Sequence, residues 1–245
     1  MKYELIKRHK VAYSECGTDG RLNLFSISLL AQNNMTEYWK KIGSDNLVLK
    51  EKYNAAWIIS KSKNKVIEFP IWNQDIVIRT NIVKKKIASV IVETIGEDTK
   101  GNILFIDKKE SCVIDLTSRS IRKISTVSFP EDFEPGESIF EDKFTILNEE
   151  FNENDFVYEE KARALDIDFT KHVNNSMYVK YLLNSFENSY WDNKKIEEFE
   201  LHFMSESTEN TSLKMYKKEK DDNSVKMLIK NDSGECVRSL IKYRI

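Results

Sequence analysis

Asp166–Phe186 reads DIDFTKHVNNSMYVKYLLNSF. Its first half places two acids, a hydroxyl and a histidine on a short turn. Its second half carries Val173, Met177, Tyr178, Val179, Tyr181, Leu182, Leu183 and Phe186, with few polar positions among them. A helix that is apolar on nearly all sides is a buried helix. Something must wrap it, and a curved sheet is the obvious wrapper.

Working outward, a second helical pattern lies upstream. Ile27, Leu30, Ala31, Met35, Tyr38, Trp39 and Ile42 recur at spacings of three and four, and Gly43 closes the run as a C-terminal cap. Strand-like segments follow each helix. After the first come Ala56–Ser60, Lys65–Phe69, Asp75–Val83, Ile87–Ile95, Ile103–Ile114 and Ser120–Ile124; after the second come Phe199–Met204, Ser212–Lys217, Ser224–Lys230 and Cys236–Tyr243. Turn-forming clusters such as Asp221-Asp222-Asn223 and Asn231-Asp232-Ser233-Gly234 separate them.

The order helix-then-strands therefore occurs twice. An overlay sets Asp19-Gly20-Arg21-Leu22 against the second turn from Asp168 onward, and Phe69–Asn73 against Glu206–Asn210. An antiparallel sheet wrapped around one long helix is a hotdog. The expected fold is therefore α+β, a double hotdog: residues 1–126 as the first unit, an acidic linker over 127–158, and residues 159–245 as the second. The alternative is a single α+β domain with an insertion.

Composition bounds the function. At 245 residues the chain can bury a sizeable core. Its net charge of −2 offers no global attraction to nucleic acid or an anionic membrane. No apolar run is long enough to span a bilayer, and the N-terminus lacks a signal-peptide core, so the cytoplasm is the default location. Cys16, Cys112 and Cys236 are widely spaced, which suits reduced thiols and no zinc set.

The quoted turn resembles the Asp-x-Asn-x-His-Val-Asn-Asn segment of acyl-acyl carrier protein (acyl-ACP) thioesterases, with Thr170 in place of the asparagine. The likeness extends over most of the chain. Tyr13-Ser14-Glu15, Asp19–Leu22, Leu29–Asn34, Trp57–Ser60 and Ile67–Asn73 are similar, in order and spacing, to that family's first-half segments. The resemblance implies a hydrolase of the thioester between a fatty acyl group and acyl carrier protein, needing no cofactor or metal. It places the catalytic groups in the second half: Asp168, Thr170, His172 and, downstream, Glu206. Plant members carry a cysteine beside that glutamate. Here the position is Ser207, so no thiol nucleophile is expected. Phe69 opposite Glu206 makes the first half non-catalytic and suited to holding the acyl chain.

On this reading Glu206 takes a proton from water, and His172, held by Asp168, hydrogen-bonds the carbonyl, the sulfur or the water. Which of the two receives the proton stays open. Backbone N–H groups of Val173, Asn174 and Asn175 are the expected oxyanion donors. Asn174 and Asn175 are equally explained as capping residues. His9 is expected at the surface, and His202 shares a face with Glu206 if its strand runs on. Trp39, Trp57 and Trp72 are expected in the core. Lys84–Lys86, Arg119, Arg122 and Lys123 could meet an acidic carrier protein. The chain could be a monomer or a homodimer. Two other functions fit the same residues: an acyl-CoA thioesterase, or an acyl-binding protein whose site has decayed at Thr170.

Overall fold

The computed structural model describes residues 3–245. The chain forms two compact units, Met1–Ser62 with Ile67–Lys143, and Lys63–Val66 with Phe144–Ile245. Each is a hotdog.

The first unit contains β1 (Leu5–Lys10), α1 (Leu24–Lys41), α2 (Asn46–Tyr53), β2 (Ala55–Val66, of which Lys63–Val66 belong to the second unit), β3 (Asp75–Lys85), β4 (Ser89–Asp98), β5 (Ile103–Asp115) and the short β6 (Ile121–Arg122). Its strands run in the order β1-β3-β4-β5-β2, with β6 paired to β5. The Asn23 carboxamide starts α1 by accepting the Ser26 N–H at 2.8 Å, and Gly43 ends it at φ +69°. Leu24, Ile27, Ala31, Met35, Tyr38 and Trp39 form its buried side. Trp39 stacks on Trp57 of β2 at 4.3 Å, so both belong to the core as expected. Trp72 does not: it is 58% exposed, in edge contact with Tyr13. Gly96 lies opposite Phe105 across β4 and β5, and a Cβ there would fall 2.3 Å from the Phe105 ring. Only glycine leaves room for that ring.

The second unit contains β7 (Phe156–Lys161), α3 (Asn175–Leu183), β8 (Lys195–Phe203), β9 (Ser212–Lys220), β10 (Ser224–Asn231) and β11 (Gly234–Arg244). Its strand order is β8-β11-β10-β9-β7, every pair antiparallel. At nine residues α3 is shorter than the apolar pattern over 173–186 suggested. Phe186 lies beyond it, in an aromatic cluster with Tyr190 and Trp191 at 4.8 Å each. The expected all-round burial is nonetheless present, for Lys180 is the one exposed residue of α3. Tyr178 meets Phe203 of β8 edge-on, and the Tyr158 hydroxyl of β7 donates to the Tyr181 carbonyl at 2.6 Å.

Three elements differ from the pattern reading. β2 runs unbroken through Lys61–Asn64, where polar side chains suggested a gap. α2 is marked by its N-cap, Asp45, whose carboxylate accepts from Leu47 and Val48. β7 starts inside the acidic stretch. That stretch is also tied down, each end within its own unit. In the first unit, buried Glu93 accepts from the Ser138 hydroxyl and the Ile139 N–H. In the second, buried Glu200 accepts from the Thr145 N–H and hydroxyl, and Arg238 donates to the Glu149 carbonyl. Carboxylates this deep are tolerated because donors surround them.

Candidate active site

The turn before α3 closes through its own backbone. The Asp168 N–H donates to the His172 carbonyl at 2.9 Å, and the Lys171 N–H to the Asp168 carbonyl at 3.0 Å. Ile167 and Val173 form a β-bridge across its base. Lys171 takes a left-handed φ of +69° to complete the loop. The loop then turns three side chains toward one another. The Thr170 hydroxyl donates to the Asp168 carboxylate at 2.5 Å, the Thr170 N–H reaches the same oxygen at 2.8 Å, and Thr170 Oγ1 lies 3.3 Å from His172 Nδ1. On the far side of the ring, His172 Nε2 is 3.4 Å from Glu206 Oε2. Both groups reach solvent, His172 at 31% and Glu206 at 42% side-chain exposure.

A hydroxyl has one proton to give, and here it goes to Asp168. Thr170 Oγ1 is then placed to accept from His172 Nδ1, and Nε2 faces Glu206. Asp168 was expected to hold His172; the contact between them runs through Thr170.

The expected oxyanion donors need correction. The Val173 N–H is taken by the Ser207 carbonyl at 2.8 Å, and the Asn174 N–H by the Asp166 carbonyl at 2.8 Å. Both close the turn, since a backbone donor inside a tight loop pairs locally rather than stay unsatisfied. Asn174 is the N-cap of α3, its side chain accepting from Ser176 at 2.9 Å. That leaves Asn175, at the first position of the helix, as the donor free to face a ligand.

His202 and Glu206 do not share a face, because β8 ends at Phe203. His202 Nε2 instead meets Glu200 at 2.8 Å. His9 is half-buried against Glu15 at 2.8 Å rather than simply at the surface. Arg122 is drawn into the fold, donating to the Tyr53 carbonyl, and Lys86 pairs with Glu110. Among the described residues, no group of three or more His, Cys, Asp or Glu side chains is arranged to hold a metal ion.

The same backbone frame recurs in the first unit. Gly17 N–H to Arg21 carbonyl repeats Asp168 to His172; Leu22 to Pro70 repeats Val173 to Ser207; Asn73 to Val11 repeats Asn210 to Ala162. Asn73 and Asn210 even share a φ of +67°. Gly17, Asp19, Arg21 and Phe69 therefore occupy the positions of Asp168, Thr170, His172 and Glu206. The overlay of Phe69 on Glu206 matches this frame, whereas Asp19 falls opposite Thr170, two residues on from Asp168. At this first turn Tyr13, Cys16, Gly17, Thr18, Gly20 and Trp72 line an open cavity of about 330 Å³.

Two family models cover nearly the whole length. The acyl-ACP thioesterase N-terminal domain matches residues 2–127, and the C-terminal domain of the same family matches residues 149–243. The chain belongs to the acyl-ACP thioesterase family. Its fold is similar to that of an acyl-ACP thioesterase from Bacteroides thetaiotaomicron, with a TM-score of 0.90 at 19% identity over 99% of this chain and 98% of the other. It is also similar to the 12:0-ACP thioesterase from Umbellularia californica, with a TM-score of 0.86 at 18% identity over 99% and 97%. No curated protein matches in sequence. The family makes this protein a thioester hydrolase acting on acyl-ACP. No helix among the described residues is long and apolar enough to cross a membrane.

Sequence reasoning missed the residues that tie down the loop carrying Glu206: Ser205, whose hydroxyl donates to the Glu235 carbonyl, and Asn231 and Cys236, which contact Ser207. Nothing in their spacing marked them.

Proposed function

We propose that this protein hydrolyses fatty acyl-ACP to free fatty acid and holo-ACP at Asp168, Thr170, His172 and Glu206. The observation that carries this reading is the continuous line from Asp168 through Thr170 to His172, ending 3.4 Å from Glu206.

With the ring proton on Nδ1, Nε2 is the base beside Glu206. A water lying against both groups gives its proton to Nε2, and its oxygen attacks the thioester carbonyl carbon. The resulting imidazolium is stabilised by Glu206 on one side and, through Thr170, by Asp168 on the other. The tetrahedral oxyanion takes the Asn175 N–H at the start of α3, where the helix dipole also favours negative charge. Collapse breaks the C–S bond. The departing sulfur, with a thiol pKa near the reference of about 8.5, leaves readily and takes the proton back from His172. Acid and thiol are the products, and the ring returns to its starting tautomer.

The first unit, with Phe69 where an acid would be needed, takes the non-catalytic role of holding the acyl chain. The test is thiol release from acyl-ACPs of graded chain length, with matched acyl-CoAs and a Glu206→Ala control. Turnover on acyl-ACP that vanishes in the control is expected. Equal turnover in the control removes Glu206 from the mechanism, and preference for acyl-CoA overturns the carrier-protein substrate.

A further inference from the structure

Glu206 stands on the loop between β8 and β9, which has no regular structure of its own. Yet its carboxylate must meet a ring held from the other side by Thr170. The loop is fixed by the residues flanking Glu206. Before it, the Met204 N–H donates to the Cys236 carbonyl at 2.8 Å, and the Ser205 hydroxyl to the Glu235 carbonyl at 2.8 Å. After it, Ser207 is 2% exposed and bound at both ends. Its carbonyl accepts the Val173 N–H at the base of the catalytic turn. Its hydroxyl accepts from Asn231 Nδ2 at 3.2 Å and lies 3.5 Å from Cys236 Sγ.

The first unit shows what this arrangement replaces. There the position of Ser207 is Pro70, whose carbonyl accepts from Leu22 in the same way. A proline fixes its own φ and needs no side-chain anchor. Ser207 has no such restraint, and in its place stands a buried polar contact to β10 and β11. Burying a hydroxyl without partners is costly, and here Asn231 and Cys236 lie within reach of it.

We infer that Ser207, held by Asn231 and Cys236, is a positioning residue that sets the Glu206 carboxylate against His172. It is no nucleophile, because its oxygen is buried and already engaged. The inference rests on the proposed role of Glu206.

Two variants approach the anchor from opposite sides. Ser207→Ala removes the hydroxyl. Asn231→Asp removes the donor but keeps the Oδ1 acceptor used by the Ser233 N–H at 2.8 Å. With acyl-ACP as substrate, kcat per folded molecule is expected to fall roughly 10- to 100-fold in each, as for a misplacement near 1 Å, while KM stays within about twofold. Ser207→Cys, similar in size and still able to take the Asn231 proton, is expected to restore most of the rate. A purely structural role moves the melting temperature and leaves kcat of the folded protein alone. Wild-type kcat in Asn231→Asp, or no rescue by cysteine where alanine is slow, overturns the inference. If wild type is active and Glu206→Ala is equally active, the reading beneath it falls instead.

Discussion

Two turns in this protein share one backbone and differ in almost every side chain that matters. Gly17–Leu22 and Asp168–Val173 close with matched hydrogen bonds, each leading toward a helix capped by an asparagine, Asn23 and Asn174. In the second unit the frame carries a carboxylate, a hydroxyl, an imidazole and a facing glutamate. In the first, the same positions hold Gly17, Asp19, Arg21 and Phe69. Arg21 has no acid at the Phe69 position to face; its guanidinium donates to the Phe69 carbonyl at 3.0 Å and lies 4.0 Å from the carboxylate of the neighbouring Glu68. The frame alone is thus a fold device, and chemistry needs the side chains added to it. Where the second unit has a proton line, the first has a cavity edged by exposed Tyr13 and Trp72.

The largest effect expected comes from removing the groups that only the second turn has. His172→Ala and Glu206→Ala are each expected to cost ~10²–10⁴ in kcat, the usual worth of a positioned acid or base. Single-turnover thiol release measures it directly. If either variant keeps more than a tenth of wild-type turnover, the two turns do not differ in the way proposed.

Thr170 comes next. Thr170→Val keeps the shape but breaks the line from Asp168 to His172, and about a 10-fold loss is expected, the lower edge of acid–base assistance. Thr170→Asn is expected to raise turnover. An asparagine amide can donate to Asp168 and accept from Nδ1 with separate atoms, where the hydroxyl manages the second contact only at 3.3 Å. No change or a loss with asparagine would mean that the threonine is already the better fit.

How much of this was legible beforehand follows the same contrast. The helices and most strands could be read because burial imposes a period: Tyr178, Val179, Tyr181 and Leu182 leave no polar stripe. β7 escaped because its burial is slight. It is an edge strand with exposed Glu159, Glu160 and Lys161, and composition could not separate it from the acidic stretch before it. Asp168, Thr170 and His172 were legible as neighbours in sequence. The meeting of His172 with Glu206 was not derivable from spacing, and only the resemblance supplied it. The blocked N–H groups of Val173 and Asn174 were invisible for another reason. Their acceptors, Ser207 and Asp166, are chosen by how the loops fold back, which no local pattern encodes.

A smaller effect separates the turns in stability. Gly20 and Lys171 share the left-handed conformation, at φ +71° and +69°. Glycine adopts it without strain, whereas a lysine there costs ~1 kcal/mol. Lys171→Gly is expected to stabilise the second unit by up to ~1 kcal/mol, and Gly20→Ala to destabilise the first by ~1 kcal/mol. Denaturant melts of the two variants check both signs. A destabilising Lys171→Gly would show that the lysine side chain contributes more to the loop than its backbone costs.

The smallest effect expected is none. Phe69→Glu places an acid in the first unit at the position Glu206 holds in the second, and in a Glu206→Ala background it is expected to restore no thiol release. In the second turn the base is an imidazole held between Thr170 and the facing acid, and the first turn has no such imidazole for an added acid to assist. Arg21 stands where His172 does and cannot give up its proton near neutral pH. Gly17 offers nothing in place of Asp168. An added carboxylate would pair with Arg21 and be neutralised as a base. Any recovered hydrolysis would mean that the frame itself, with one acid, is enough, and that the first unit lost its activity by a single step.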